Sequence, residues 1–344
     1  MKTQYRTIDL FKFICAILII ILHTAPFSSY SKVLSFATRT ILTTVAVPFF
    51  FISSGFITRE KSNYQTAYIK RYAKRIFMMY VIWSVVYFPF VVLKWQFDEA
   101  FIDGIIPIVL EYIKDFVFEG SYSTIWFLPT LLTSTLLVWI LHKKFSYLQI
   151  FLISLPVYIF TLAGSSYYGL SQKIPFLEAV FDAYYGFFDT IKNGVCFGLI
   201  FVSLGALISE KKDEIILGNK KNLLAIVIFW GLLAVEQLCL AFLNWNSKGV
   251  DTTVMILPLS FFLFVFILNL QLEDNGIYAR MRKYSLLLFL CQRIPITIAE
   301  MWLKDTIITA NSVVYFISVF VCTMLISYII IHLSNHVKVI KYIY

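Results

Sequence analysis

The sequence predicts an all-α polytopic membrane protein. Three observations carry that prediction: composition, the recurrence of long apolar runs, and the placement of basic residues. Of 344 residues, 60% are hydrophobic and 14% charged, with a mean hydropathy of +0.80, a balance far from that of a soluble domain. Runs of about 20 mainly apolar residues, each able to cross a hydrocarbon core of roughly 30 Å, recur throughout. They predict about ten transmembrane helices at 8–25, 38–58, 76–94, 124–141, 147–163, 193–209, 222–242, 251–270, 284–302 and 311–333, in a single domain spanning 1–344.

With a cytoplasmic N-terminus, nineteen of the 29 Lys and Arg residues fall on the inside, six on the outside and four within spans. Cytoplasmic loops are enriched in these residues, so both termini are expected inside. The net charge of +9 then reflects topology and attraction to anionic headgroups of the bilayer; no nucleic-acid partner is expected.

The first segment has a short basic start, but no small-residue cleavage site precedes the next span, so it reads as a retained helix. It carries Arg6, Asp9, Lys12 and His23. Eleven residues are about three turns, so Lys12 and His23 share one helix face roughly 16 Å apart along the axis. Ionisable residues inside a membrane helix are costly and point to function. Snorkelling of Lys12 to the inner surface and interfacial capping by His23 would also explain them. Asp9 lies roughly 21 Å below His23 and is expected to pair with Lys12 or Arg6.

The third span is preceded by Lys70, Arg71, Lys74 and Arg75, which serve either as inside anchors or as a cradle for an anionic ligand. Two outer segments, 99–118 and 174–190, mix apolar with acidic positions and read as interfacial or re-entrant. Asp98, Glu99, Asp103, Glu111, Asp115 and Glu119 in and around the first, with Glu178, Asp182 and Asp189 in the second, predict an acidic outer face. It is either a vestibule for polyhydroxylated or cationic small molecules or an ordinary solvated rim. Glu236 and Arg293 are charges within spans, and a mutual ion pair between two helices is the expected arrangement. The five cysteines all sit in apolar spans without C-x-x-C spacing and read as small buried hydrophobes, with no metal site expected.

Three stretches resemble a known family, the integral membrane acyltransferases called acyltransferase 3. Arg6, Asp9, Lys12 and His23 are similar to the family's first-helix pattern in slightly compressed form. Val47-Pro48-Phe49-Phe50-Phe51-Ile52-Ser53-Ser54-Gly55-Phe56 resembles its P-x-F-F-x-x-S-G element, and Trp126-Phe127-Leu128 its W-[FY]-L element. The chain departs from the family where Tyr72 replaces the first arginine of R-x-x-R, and where Leu290-Cys291-Gln292-Arg293 replaces a histidine near the ninth helix.

The resemblance implies transfer of an acyl group, usually acetyl from acetyl-CoA, to a hydroxyl of an extracytoplasmic glycan or related acceptor, with Lys12 and His23 in the catalytic centre. Imidazole titrates near physiological pH, so His23 is the expected general base or transient acyl carrier. Arg6, Arg71, Lys74 and Arg75 are expected at the donor phosphates. Arg39, Ser53, Ser54 and Trp126 are candidates at the substrate or the oxyanion. The expected location is a cell membrane, that of a bacterium. A second reading is a small-molecule transporter, since the membrane half of serine racemases also resembles this family. A pyridoxal-phosphate racemase domain, normally fused to that half, is not expected here.

Overall fold

The computed structural model describes residues 5–97, 105–215, 218–273, 276–304, 306–337 and 343. Asp98, Glu99 and Asp103 of the acidic segment, and Lys2, Lys338 and Lys341 of the charge count, lie outside the described residues. The described residues are helices and turns: α1 (Arg6–Thr24), α2 (Lys32–Phe36), α3 (Ala46–Ser62), α4 (Thr66–Phe97), α5 (Ile105–Phe118), α6 (Phe127–Leu141), α7 (Tyr147–Gly164), α8 (Tyr168–Ser171), α9 (Pro175–Tyr185), α10 (Leu199–Glu210), α11 (Asn219–Phe242), α12 (Ile256–Asn269), α13 (Ile277–Cys291), α14 (Arg293–Trp302), α15 (Ile307–Ala310) and α16 (Ser312–Leu333).

Seven stretches of the described chain are long and apolar enough to cross a membrane: Arg6–Thr24, Lys32–Ser62, Thr66–Leu93, Tyr147–Gly164, Asn219–Phe242, Ile277–Trp302 and Ser312–Leu333. The shorter apolar helices Phe127–Leu141, Gly194–Glu210 and Ile256–Asn269 fall where three further crossings are expected. α5 and α9 occupy the two outer segments, and α9 starts on Pro175, whose fixed φ suits a first helical turn.

Helix α1 packs against α13, α3 and α16, while α3 packs most intimately on α10. The α3–α10 crossing explains the Ser-Ser-Gly element physically. A β-carbon on Gly55 would stand 2.1 Å from the carbonyl oxygen of Val202, and one on Gly205 2.0 Å from that of Ile52. Two glycines thus bring the backbones together, as small residues do where membrane helices meet. Around this crossing Phe51, Phe127 and Phe289 form an aromatic chain, with ring centroids 4.7 and 5.0 Å apart.

Two segments leave α geometry. Ala37–Leu42 is a π turn, and Gly194–Gly198 is another, capped by Asn193, whose side chain accepts from the backbone N–H groups of Val195 and Cys196. The expected span 284–302 is kinked at Gln292, between α13 and α14. Pro295 has no N–H for the Cys291 carbonyl and its ring crowds that oxygen, which interrupts the backbone ladder there.

Two expectations are corrected here. Cys15 and Cys291 are buried, but Cys239 and Cys322 are exposed on α11 and α16; these faces expose apolar neighbours such as Val235, Leu238, Val321 and Leu325, so a small apolar thiol costs nothing there. Glu236 does not pair with Arg293. Its carboxylate accepts the Tyr167 hydroxyl and the N–H groups of Val254 and Met255, whereas Arg293 meets Glu300 at 3.1 Å.

Candidate functional site

His23 lies in the last turn of α1, which Ala25 closes with a positive φ of 47°. The ring is half-buried, and the charges that bear on it come from Arg293, Arg39, Lys192 and Asp251. Each reaches it from a different element. Arg39 stands on the first π turn and donates from Nε to the Leu22 carbonyl at 3.3 Å. Lys192 directly precedes the second π turn, and its Nζ meets Asp251 at 2.6 Å. Arg293 sits at the Pro295 kink. π turns recur at functional sites. Three cations and one carboxylate thus bear electrostatically on the imidazole.

Lys192 and Arg293 also line a cavity of about 940 Å³ formed by α4, α5, α14 and the segments after α5 and α9. Its walls carry Trp126, Tyr112 and Tyr122 together with Glu111, Asp115, Glu119, Asp189 and Glu300, an acidic, aromatic vestibule in the described part of the outer segments. Trp126 opens α6 with its ring between those of Phe51 and Phe197. One carboxylate oxygen each of Asp115, Glu119 and Asp189 lie within 4.8 Å of one another, a spacing at which charges repel. Lys114 relieves it with an ion pair to Asp189 at 2.9 Å, which raises the lysine's proton affinity. Burial pushes the Asp115 carboxyl up to about 6, against the pull of Lys114 and helped by Asp189 and Glu111. Burial raises Glu119 as well, opposed by the Asp189 N–H that its carboxylate accepts at 2.6 Å.

Lys12 occupies the same face of α1 three turns below His23. The charges bearing on it are Asp9, Lys61 and Arg282, with Arg282 3.6 Å from Asp9. The face between Lys12 and His23 is filled by Ala16 and Ile19, both buried.

The remaining expected residues are distributed as follows. Arg6 donates to the Leu272 carbonyl at 3.0 Å. Arg71, Lys74 and Arg75 are exposed on the first turns of α4, a helix that packs on α6, and Arg71 donates to the Ala67 carbonyl of its own helix. The cations that bear on Lys12 are Lys61 and Arg282. Ser53 and Ser54 both donate to the Phe50 carbonyl, at 2.9 and 2.8 Å, the usual backbone bond of a serine inside a helix.

Sequence reasoning missed Lys192 and Asp251, which lie in irregular connections, and assigned Arg293 to the wrong partner. Pro295, two residues on, was the available signal for Arg293, because a helix kink exposes the side chain at the kink. Ser165 Oγ lies 2.5 Å from where a β-carbon on Gly249 would stand, with Asp251 Oδ1 at 3.7 Å from the same point. The Lys192–Asp251 pair thus adjoins the buried Ser165 hydroxyl.

Comparison with known proteins agrees with this architecture. The family model for the acyltransferase 3 domain matches residues 5–332. An amino-acid racemase of Enterococcus faecalis is 29% identical over 97% of this chain and 46% of its own length. A second amino-acid racemase of that organism is 26% identical over 99% of the chain and 48% of its own length. A serine/alanine racemase of Enterococcus gallinarum is 24% identical, covering 93% and 45%. The chain spans about half the length of these curated relatives. No solved structure matches it. With a family model covering nearly the whole chain and the pattern residues Lys12 and His23 set at the two ends of one buried face, the chain belongs to the acyltransferase 3 family of membrane proteins.

Proposed function

We propose that the protein moves an acetyl group from cytoplasmic acetyl-CoA to a hydroxyl of an extracytoplasmic glycan or related acceptor, in a ten-helix bundle with both termini inside. The observation that carries this reading is that Arg39, Lys192 and Arg293 bear electrostatically on His23, two of them, Lys192 and Arg293, also lining the outer cavity. The acceptor enters through the vestibule, and His23 takes its hydroxyl proton. The acceptor oxygen attacks the thioester carbonyl, and the three cations stabilise the oxyanion that forms. Collapse expels the thiolate, which receives the proton from the imidazolium. Transfer through an acyl-histidine uses the same atoms in two steps.

The donor enters from the Lys12 end. Three cations against one carboxylate fit a polyanionic head group there. Its extended arm is comparable in length to the Lys12–His23 separation, and it passes Ala16 and Ile19 by parting the side chains packed on them.

A second reading is uptake of a small amino acid, given that the chain matches about half the length of amino-acid and serine/alanine racemases. One experiment separates the two. Purified protein in lipid vesicles is given radiolabelled acetyl-CoA and, separately, radiolabelled serine. Saturable acetyl-CoA binding with slow thioester hydrolysis supports acyl transfer; serine accumulation with neither supports uptake.

A further inference from the structure

The His23 end of α1 borders a second cavity, of about 370 Å³, with Leu22, Ser28, Lys32, Ser35, Arg39 and Thr40 in its walls. Leu22 is in the last turn of α1 and Ser28 in the turn after it; Lys32 and Ser35 stand on α2, Arg39 and Thr40 on the first π turn. The vestibule carries Asp115, Glu119 and Asp189, whereas the described walls of this cavity hold two cations, three hydroxyls and no carboxylate. Of the cations that bear on His23, Lys192 pairs with Asp251 and Arg293 with Glu300. Arg39 pairs with no described carboxylate: its Nε donates to the Leu22 carbonyl at 3.3 Å, one residue from His23. That bond steadies the guanidinium and uses one of its five N–H groups.

The cavity lies at the level of lipid headgroups. Lys32–Ser62 is a stretch of 31 residues, about 46 Å if helical throughout, against a hydrocarbon core of roughly 30 Å. Both of its ends therefore stand outside the core, Arg59 and Lys61 at one and Lys32 and Arg39 at the other. Beside Lys32, the apolar side chains of Tyr30, Val33 and Leu34 are exposed, as at a membrane interface. A guanidinium fork, an ammonium and hydroxyl donors in one cavity match a phosphate, which has more acceptor oxygens than a carboxylate and can serve both cations and a hydroxyl at once. The volume, at the small end for ligand cavities, suits a headgroup-sized molecule.

We propose that Lys32 and Arg39, with the hydroxyls of Ser28, Ser35 and Thr40, form a binding site for a phosphate group at the membrane surface. The proposal does not rest on the acyl-transfer reading and stands or falls separately from it. An anionic phospholipid headgroup and a soluble phosphate ester present the same chemistry, and the two arms of the test tell them apart.

In the first arm the full chain is taken from nanodiscs of mixed phosphatidylglycerol and phosphatidylcholine, and the phosphatidylglycerol it retains is counted by native mass spectrometry. In the second, the chain in nanodiscs of phosphatidylcholine alone is titrated with glycerol 3-phosphate by calorimetry. Lys32→Gln and Arg39→Gln should each weaken binding about tenfold, the loss of one charge-assisted contact, while Lys32→Arg, which keeps the charge, should retain most of it. Lys248→Gln is the control for general charge attraction: that ammonium lies over the Tyr185 ring at 4.3 Å, outside this cavity, and its loss should change binding by less than about twofold. Thermal unfolding confirms that each variant is folded. Phosphatidylglycerol retention that falls in both Gln variants, without glycerol 3-phosphate binding, supports the site and makes its ligand a lipid headgroup. Glycerol 3-phosphate binding that both variants weaken, with lipid retention unchanged, supports the site and makes its ligand a soluble ester. Wild-type behaviour of Lys32→Gln and Arg39→Gln in both arms, an equal loss in Lys248→Gln, or no binding of either probe by the wild type overturns it.

Discussion

Lys192 Nζ stands 2.6 Å from Asp251 Oδ1, and this pair is among the charges nearest in effect to His23. The carboxylate holds the ammonium in place, as Glu300 does for Arg293. Asp251→Asn leaves Lys192 without its charge partner and free to turn away. A charge-assisted contact contributes about 1.5–3 kcal/mol, so transfer should fall at least tenfold, mainly in kcat, with Asp251→Glu restoring much of it. Initial rates with labelled acetyl-CoA check this; a change confined to KM would place the pair outside the reacting centre.

Gly55 and Gly205 should be intolerant of any side chain. A methyl group at either position meets a carbonyl oxygen at about 2 Å, and the contact is backbone, so α3 and α10 must separate. Gly205→Ala should cost at least about 3 kcal/mol and sharply reduce the yield of monodisperse protein. Size-exclusion profiles in detergent with thermal unfolding provide the measurement.

Glu236 ties α11 to the start of α12. Its carboxylate takes the N–H groups of Val254 and Met255 just before Ile256, where a negative charge also favours the helix dipole. Glu236→Ala should destabilise by about 2–3 kcal/mol, and Glu236→Gln by less, since one oxygen still accepts. Thermal unfolding in nanodiscs distinguishes the two.

The pH dependence follows from Asp115. Its folded carboxyl is pushed up to about 6 by burial, above the ordinary carboxylate range, so folding favours the protonated form. That contribution is fully present below about pH 4 and is lost as pH rises through about 6. Between those values the wild type should lose stability relative to Asp115→Asn by of order 1–2 kcal/mol, after allowance for partial solvent screening. Denaturation midpoints of both proteins across this range test the sign.

Much of this molecule was legible in its sequence. The apolar runs placed the long helices because a hydrocarbon core demands about 20 residues, and the two outer segments were marked by their acidic and apolar mixture. The Lys12–His23 spacing put both side chains on one face of α1 through helix geometry alone. What stayed hidden has a common cause. Lys192 and Asp251 lie in connections and Lys61 and Arg282 on helices far apart in the chain, and packing order is not written in hydropathy. The Ser-Ser-Gly element was visible as a pattern, but its physical content, a close backbone crossing through Gly55 with both serines bonded to Phe50, required coordinates. The span across 284–302 hid a kink that Pro295 announces, and with it the placement of Arg293.

The central claim is that the imidazole of His23 handles the acyl group, and replacing that residue tests it most directly. Purified wild type and His23→Ala, matched for folded content by size exclusion and thermal unfolding, are incubated with labelled acetyl-CoA and an envelope-glycan acceptor. The account predicts at least a hundredfold loss of label transfer in His23→Ala, with coenzyme A binding unchanged because the cations near Lys12 are intact. Transfer by His23→Ala at the wild-type rate would contradict it.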